Sequence, residues 1–168
     1  IREKDKFDAK IDPLLASLPS FTQLGMASLL PMGDLGIPDP SKPTVTHTGV
    51  STAGIDNRKK VLGANIGEDR SSAWHADDFL DFKTNETRDI IRDHDVVFIY
   101  HNRIDATGDS VKTEEKVFES VEDTIEELVL LVRKLTSANG GHFFITSDHG
   151  FIYQNRDLDP SDYLGSKP

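Results

Sequence analysis

Val96-Val97-Phe98-Ile99-Tyr100, running into His101-Asn102-Arg103-Ile104-Asp105-Ala106-Thr107-Gly108-Asp109, is an unbroken apolar run that ends in titratable side chains. A second run, His142-Phe143-Phe144-Ile145-Thr146, ends in Ser147-Asp148-His149-Gly150. Short continuous apolar runs bounded by turn residues read as buried strands. Between them Val117, Val121, Ile125, Leu128, Leu131, Val132 and Leu135 recur at three- and four-residue steps, the mark of a helix over residues 113–136. Thr113 is placed to cap it, Glu114 and Glu115 suit its first turn, and Arg133 and Lys134 suit its last. Gly140-Gly141 ends the segment. Strand, helix, strand in this order is a parallel crossover unit, whose strands end on one sheet edge, where ligands bind. The pattern predicts an α/β fold: a mostly parallel central sheet with helices on both faces.

Working outward, residues 2–18 read as a helix, with Phe7, Ile11, Leu14, Leu15 and Leu18 apolar. Pro19 breaks it, and a short helix over residues 23–30 follows, with Thr22 at its N-cap and Pro31 as its stop. Residues 32–43 are rich in Gly, Pro and Asp and read as loop. Residues 44–73 read as a small β-containing insertion or cap over the site. Within it residues 44–50 alternate like a strand, and residues 59–63 are expected to pair back. Residues 76–82 and 86–93 read as short helices leading into the strand at Val96.

The 168 residues suffice for one domain, 1–168, with a real core. No apolar run approaches membrane-spanning length and the start carries no signal-peptide pattern. Without cysteine the chain has no disulfide or thiolate chemistry, which fits a cytoplasmic protein. The net charge of −10 argues against a basic DNA-binding surface. An acidic chain still acts on phosphates where bound cations invert the local charge. The charged, non-methionine opening at Ile1 leads to the expectation of a piece of a longer protein, with at least one strand before it.

The two strand ends carry the chemistry. Asp148-His149, before the flexible Gly150, is a compact ligand pair; its plain alternative is a surface turn. Asp105 and Asp109, four apart in a glycine-containing turn, suit one cation, or Asp109 merely starts a loop. Together on one edge these oxygen and imidazole groups suit one or two divalent metals. Thr22, at a helix N-terminus and beside such a metal, is a candidate alkoxide nucleophile or an ordinary N-cap. Arg103 is placed to hold a phosphate oxygen, or pairs with one of the many acids. His47, His75, His94 and His142 carry no motif and read as surface or structural residues.

These residues resemble the PglZ family of the alkaline phosphatase superfamily. The resemblance lies in Leu18-Pro19-Ser20-Phe21-Thr22-Gln23-Leu24-Gly25-Met26-Ala27-Ser28-Leu29-Leu30-Pro31, in Tyr100 to Asp109, and in Thr146-Ser147-Asp148-His149-Gly150-Phe151. The weaker Gly49-Val50-Ser51-Thr52-Ala53-Gly54 with Arg58 and Leu62 also fits. The resemblance implies a two-metal phosphohydrolase in which Thr22 attacks phosphorus. It implies one metal on Thr22, an early aspartate, Asp148 and His149, and another on Asp105, Asp109 and a late histidine. The early aspartate is expected before Ile1 and the late histidine after Pro168, so this stretch alone is expected to have weak or no activity. The phosphodiesterase branch usually has histidine where Asp109 stands, which shifts the expected metal from zinc toward magnesium, manganese or calcium. The resemblance further implies a BREX phage-defence component working beside a DNA methyltransferase and ATPases. The substrate expected is a phosphate ester, more readily a diester than a monoester, within a nucleic acid or nucleotide. The rival reading is a non-catalytic scaffold that holds defence partners. A calcium-binding module is disfavoured, because the carboxylates lack regular loop spacing.

Overall fold

A computed structural model describes residues 7–108 and 116–150. In chain order it contains α1 (Thr22–Ser28), β1 (Leu35–Gly36), β2 (Thr46–His47), β3 (Val50–Ser51), α2 (Ile55–Ile66) and β4 (Ser71–His75). Then come α3 (Ala76–Asp81), α4 (Thr84–Asp93), β5 (Val96–Tyr100), α5 (Arg103–Gly108) and α6 (Val117–Ser137).

The parallel unit of the described residues is β4–α3–α4–β5. Its strands pair in parallel from Ser71↔Val96 to His75↔Tyr100. Side chains alternate across the pleat, so the two faces feed separate cores. On one face Ala73, Phe98 and Tyr100 meet Val61 and Leu62 of α2, together with Leu30. On the other, Trp74, Val97 and Ile99 meet Phe79 of α3, Ile90 and Ile91 of α4, and Leu131 and Leu135 of α6. The fold is therefore α/β, with helices on both faces of a small parallel sheet.

The described residues depart from the sequence reading in four places. Residues 142–146 join no ladder: Phe144 is 95% exposed, and Phe143 alone enters the core beneath α6. An apolar run signals a demand for burial, not which strand edge will supply hydrogen bonds. The partner of β5 is instead Ser71–His75, a serine-rich strand whose apolar content is too low to announce it. Residues 59–63, expected as a strand, lie in helix α2, where Val61 and Leu62 are fully buried. Within residues 44–73 the short strands β2 and β3 join β1, from the preceding loop, in a sheet of order β1–β2–β3 with strands two residues long. Residues 7–18 are not helical, and Ile11, Leu14, Leu15 and Leu18 are exposed. A short helix of that kind needs a surface to bury its stripe.

The long helix starts at Val117; the expected caps at residues 113–115 lie outside the described residues. Its buried stripe runs through Val117, Ser120, Thr124, Leu131, Val132 and Leu135, while Ile125 faces out. Small residues in the N-terminal half let α5 pack close along it. Ser120 satisfies its hydroxyl locally, donating to the Val117 carbonyl at 2.7 Å. At the other end the Lys134 ammonium donates to the carbonyls of Leu80, at 2.6 Å, and Phe82 at the end of α3. The ammonium thereby fastens α6 to the helix that follows β4.

Phe79 has no exposed surface and stacks edge-on against Phe82. Its replacement by alanine is expected to cost about 3–5 kcal/mol. A drop in the urea midpoint with unchanged slope is the expected signature; a midpoint shift near zero would mean that this core carries little of the stability.

Candidate functional site

Thr22 opens α1, a helix entered from extended backbone at Phe21. The helix is held from two sides. Leu24 and Ala27 pack on Val45, with Phe21 against the same cluster. Val45 is in turn fixed by Thr52, fully buried, whose amide and hydroxyl both donate to the Val45 carbonyl, at 3.1 and 3.0 Å. The small three-stranded sheet therefore acts as a brace behind α1.

The other side of α1 lies directly on the Asp148 backbone. A Cβ at Gly25 would come within 2.8 Å of the Asp148 carbonyl carbon and 2.9 Å of its Cβ. Only glycine permits this approach. It brings together groups 127 positions apart: Thr22 Oγ1 lies 3.2 Å from His149 Nε2. Asp148 Oδ2 lies 3.4 Å from the same nitrogen. The Asp148 and His149 side chains are 15% and 23% exposed.

The tautomer follows from the partners. His149 Nδ1 faces the Gly150 carbonyl oxygen at 3.0 Å. A carbonyl only accepts, so Nδ1 carries the proton and, in the neutral ring, Nε2 presents its lone pair. The Thr22 hydroxyl then donates to Nε2. The nearby Asp148 carboxylate is also an acceptor. The Thr22 hydroxyl, the Asp148 carboxylate and the imidazole Nε2 are groups of the chemistry that fits a divalent cation. His149 also lines a cleft of about 290 Å³ with Asp12, Leu14, Thr146 and Ser147.

The other strand end is built differently. Asp105 sits in the first turn of α5, just beyond β5. Asp109 lies outside the described residues. Among those residues no three His, Asp or Glu side chains group closely enough to hold a metal ion, so Asp105 forms no such group with Asp148 and His149. Arg103 points to α6: Nη1 donates to Asp123 Oδ2 at 3.0 Å and Nη2 to Glu127 Oε1. His101 Nε2 donates to Glu127 Oε2 at 2.6 Å. Asp123 and Glu127 went unnoticed in the sequence because they are two of 29 acids; their four-residue spacing on one helix face was the available signal. Gly25 lay within a recognised stretch, yet only its contact with Asp148 reveals its role.

At the end of β5 the Arg58 guanidinium stacks over Tyr100, 4.2 Å from the ring centroid. Burial pushes the Tyr100 phenol above its ordinary range, and the nearby Arg58 charge opposes that rise. This pair fastens α2 to the sheet edge beside the site. His47, 1% exposed, is structural: it fills the space that a side chain at Gly33 would need.

Gly25→Ala is expected to lose about 1–3 kcal/mol through overpacking and to part Thr22 from His149. Denaturant melts read the first effect, and the NMR shift of the His149 ring reads the second. Wild-type values in both would show that α1 and Asp148 are not in close contact.

The sequence pattern of the family described as "BREX system PglZ alkaline phosphatase-like domain" matches residues 1–167. The chain is 42% identical over 163 residues to "Alkaline phosphatase-like protein BrxZ" of Escherichia coli O9:H4 (strain HS), covering 96% of this chain and 18% of that protein. It is 36% identical over 146 residues to "Alkaline phosphatase-like protein PglZ" of Bacillus cereus (strain H3081.97), covering 86% of this chain and 17% of that protein. The chain thus spans under one fifth of the length of either relative. No solved structure matches it.

Proposed function

Because the chain belongs to the PglZ family of BREX alkaline phosphatase-like domains, we propose that it supplies the nucleophile half of a metal-dependent phosphohydrolase site in a BREX phage-defence protein. The substrate class proposed is a phosphodiester, with nucleic acid or nucleotide as its source. The observation that carries this reading is the contact of Thr22 Oγ1 with His149 Nε2 beside Asp148. Three donors of the right chemistry meet there from opposite ends of the chain, held by a glycine contact.

In this reading Thr22, Asp148 and His149 hold one divalent cation, whether zinc, magnesium, manganese or calcium, while Asp105 and Asp109 belong to a second. Such ions, when bound, supply Lewis acidity and offset the negative charge of both chain and substrate. Thr22 Oγ1 forms the bond to phosphorus as the bond to the leaving oxygen breaks opposite it. The hydroxyl proton passes to solvent water, since His149 Nε2 and Asp148 would be holding the cation. The leaving oxygen takes its bond's electron pair and is protonated by water. Water then cleaves the phosphothreonine and the Thr22 hydroxyl is restored. His149 is kept in one orientation by the Gly150 carbonyl, so its Nε2 stays aimed at the nucleophile. Arg103 is given no phosphate bond, since both of its terminal nitrogens are engaged by α6. Other BREX components, among them a DNA methyltransferase and ATPases, are the proposed partners. No helix among the described residues is long and apolar enough to cross a membrane.

The test uses the full-length protein with an aryl phosphodiester and added manganese or zinc. Thr22→Ala, Asp148→Asn and His149→Ala are each expected to lower kcat by about 10³-fold or more, with the fold unchanged by circular dichroism. Rates within a few-fold of wild type for Thr22→Ala would remove the nucleophile assignment. Phage protection retained by an inactive Thr22→Ala protein would instead place the biological role in holding partners.

A further inference from the structure

We propose that Glu127 is a positioning residue that anchors the β5–α5 corner and, through it, the backbone that carries Asp105; the inference rests on the metal-ligand reading of Asp105 above. One carboxylate grips both sides of Asn102. Its Oε2 accepts from His101 Nε2 at 2.6 Å, and its Oε1 accepts from Arg103 Nη2. Asp123, one turn earlier on the same face of α6, takes Arg103 Nη1 at 3.0 Å.

The two acids are not equal. The His101 and Glu127 side chains are only 13% and 20% exposed, whereas Arg103 and Asp123 are 42% and 61% exposed. Solvent screens the outer pair and leaves the inner one stronger. Glu127 is also seated on a rigid support, since α6 is 21 residues long and packs on the sheet through Leu131 and Leu135. The corner itself contributes no buried residue and rests on α6 through α5. α5 is six residues long and none of its residues is buried. A helix so short takes its direction from its packing on α6 and from what holds its first residue, Arg103. Asp105 follows two residues later. Groups that orient a ligand in this way commonly matter nearly as much as the ligand. The sequence places these acids 20 and 24 positions after Arg103, so neither is visible as part of a local motif.

The experiment compares Glu127→Gln, Asp123→Asn and Asp105→Ala in the full-length protein by hydrogen exchange and by manganese titration calorimetry. Glutamine keeps the shape of Glu127 but has one acceptor oxygen and no charge. Glu127→Gln is expected to speed exchange across residues 101–108 by about tenfold or more, with Ser71–His75 still protected. It is expected to weaken manganese binding by roughly 10- to 100-fold, with Asp123→Asn showing the same changes at smaller size. Unchanged exchange at residues 101–108 overturns the anchor. Faster exchange with unchanged manganese affinity, where Asp105→Ala does abolish binding, overturns the positioning role. If Asp105→Ala leaves manganese binding intact, the metal reading of Asp105 fails separately and exchange alone decides the anchor. Should Glu127→Gln lose protection at Ser71–His75, Asp123→Asn carries the same comparison: faster exchange at residues 101–108 with weaker manganese binding supports the role, and wild-type values in both overturn it.

Discussion

The parallel ladder from Ser71↔Val96 to His75↔Tyr100 is buried on both faces, by α2 on one side and by α3, α4 and α6 on the other. A two-stranded ladder has little stability alone, so the helices that cover it supply its strength. Each is fastened to the strands by a different interaction. Arg58 lies on Tyr100, Lys134 reaches the carbonyls that end α3, and the aromatic group of Trp74, Phe79 and Phe82 fills the space between. Because the strands are parallel, their carboxyl ends share one rim. The β5–α5 corner, with His101, Arg103 and Asp105, begins at that rim.

The contact between α1 and Asp148 is a second long-range constraint, and it is steric. It exists because Gly25 has no side chain. The three-stranded sheet braces α1 from behind, through Val45 and the buried Thr52. Part of the segment read as an insertion or cap, around Val45 and Thr52, packs behind α1. The closeness of Thr22 to His149 is thus a packing result, obtained from one missing Cβ and one small apolar cluster.

Charge is distributed with the same economy. A net charge of −10 repels anions over most of the surface. Two of its acids are turned to structural use at the corner, where His101 and Arg103 take up Glu127 and Asp123. Asp148 is turned toward His149. In the proposed reading, bound cations would offset this negative charge where an anionic substrate approaches.

Periodicity alone identified β5, the long helix α6 and the short helix after Pro19, because an apolar repeat is a local property that survives translation into structure. The order of apolar runs and helical repeat pointed to an α/β fold, and the motif residues Thr22, Asp148 and His149 stood out by their positions after breaks and apolar runs. The sequence could not identify β4, whose Ser71 and Ser72 are buried without being apolar. Nor could it tell that residues 59–63 turn with a helical period, or that residues 142–146 stay out of the ladder. Those choices depend on which surface reaches a segment first. Tertiary structure alone decided that Gly25 meets Asp148 and that Glu127 holds Arg103 and His101. Each of these contacts joins positions more than 20 residues apart, and no local pattern records a distance that only packing and ion pairing close.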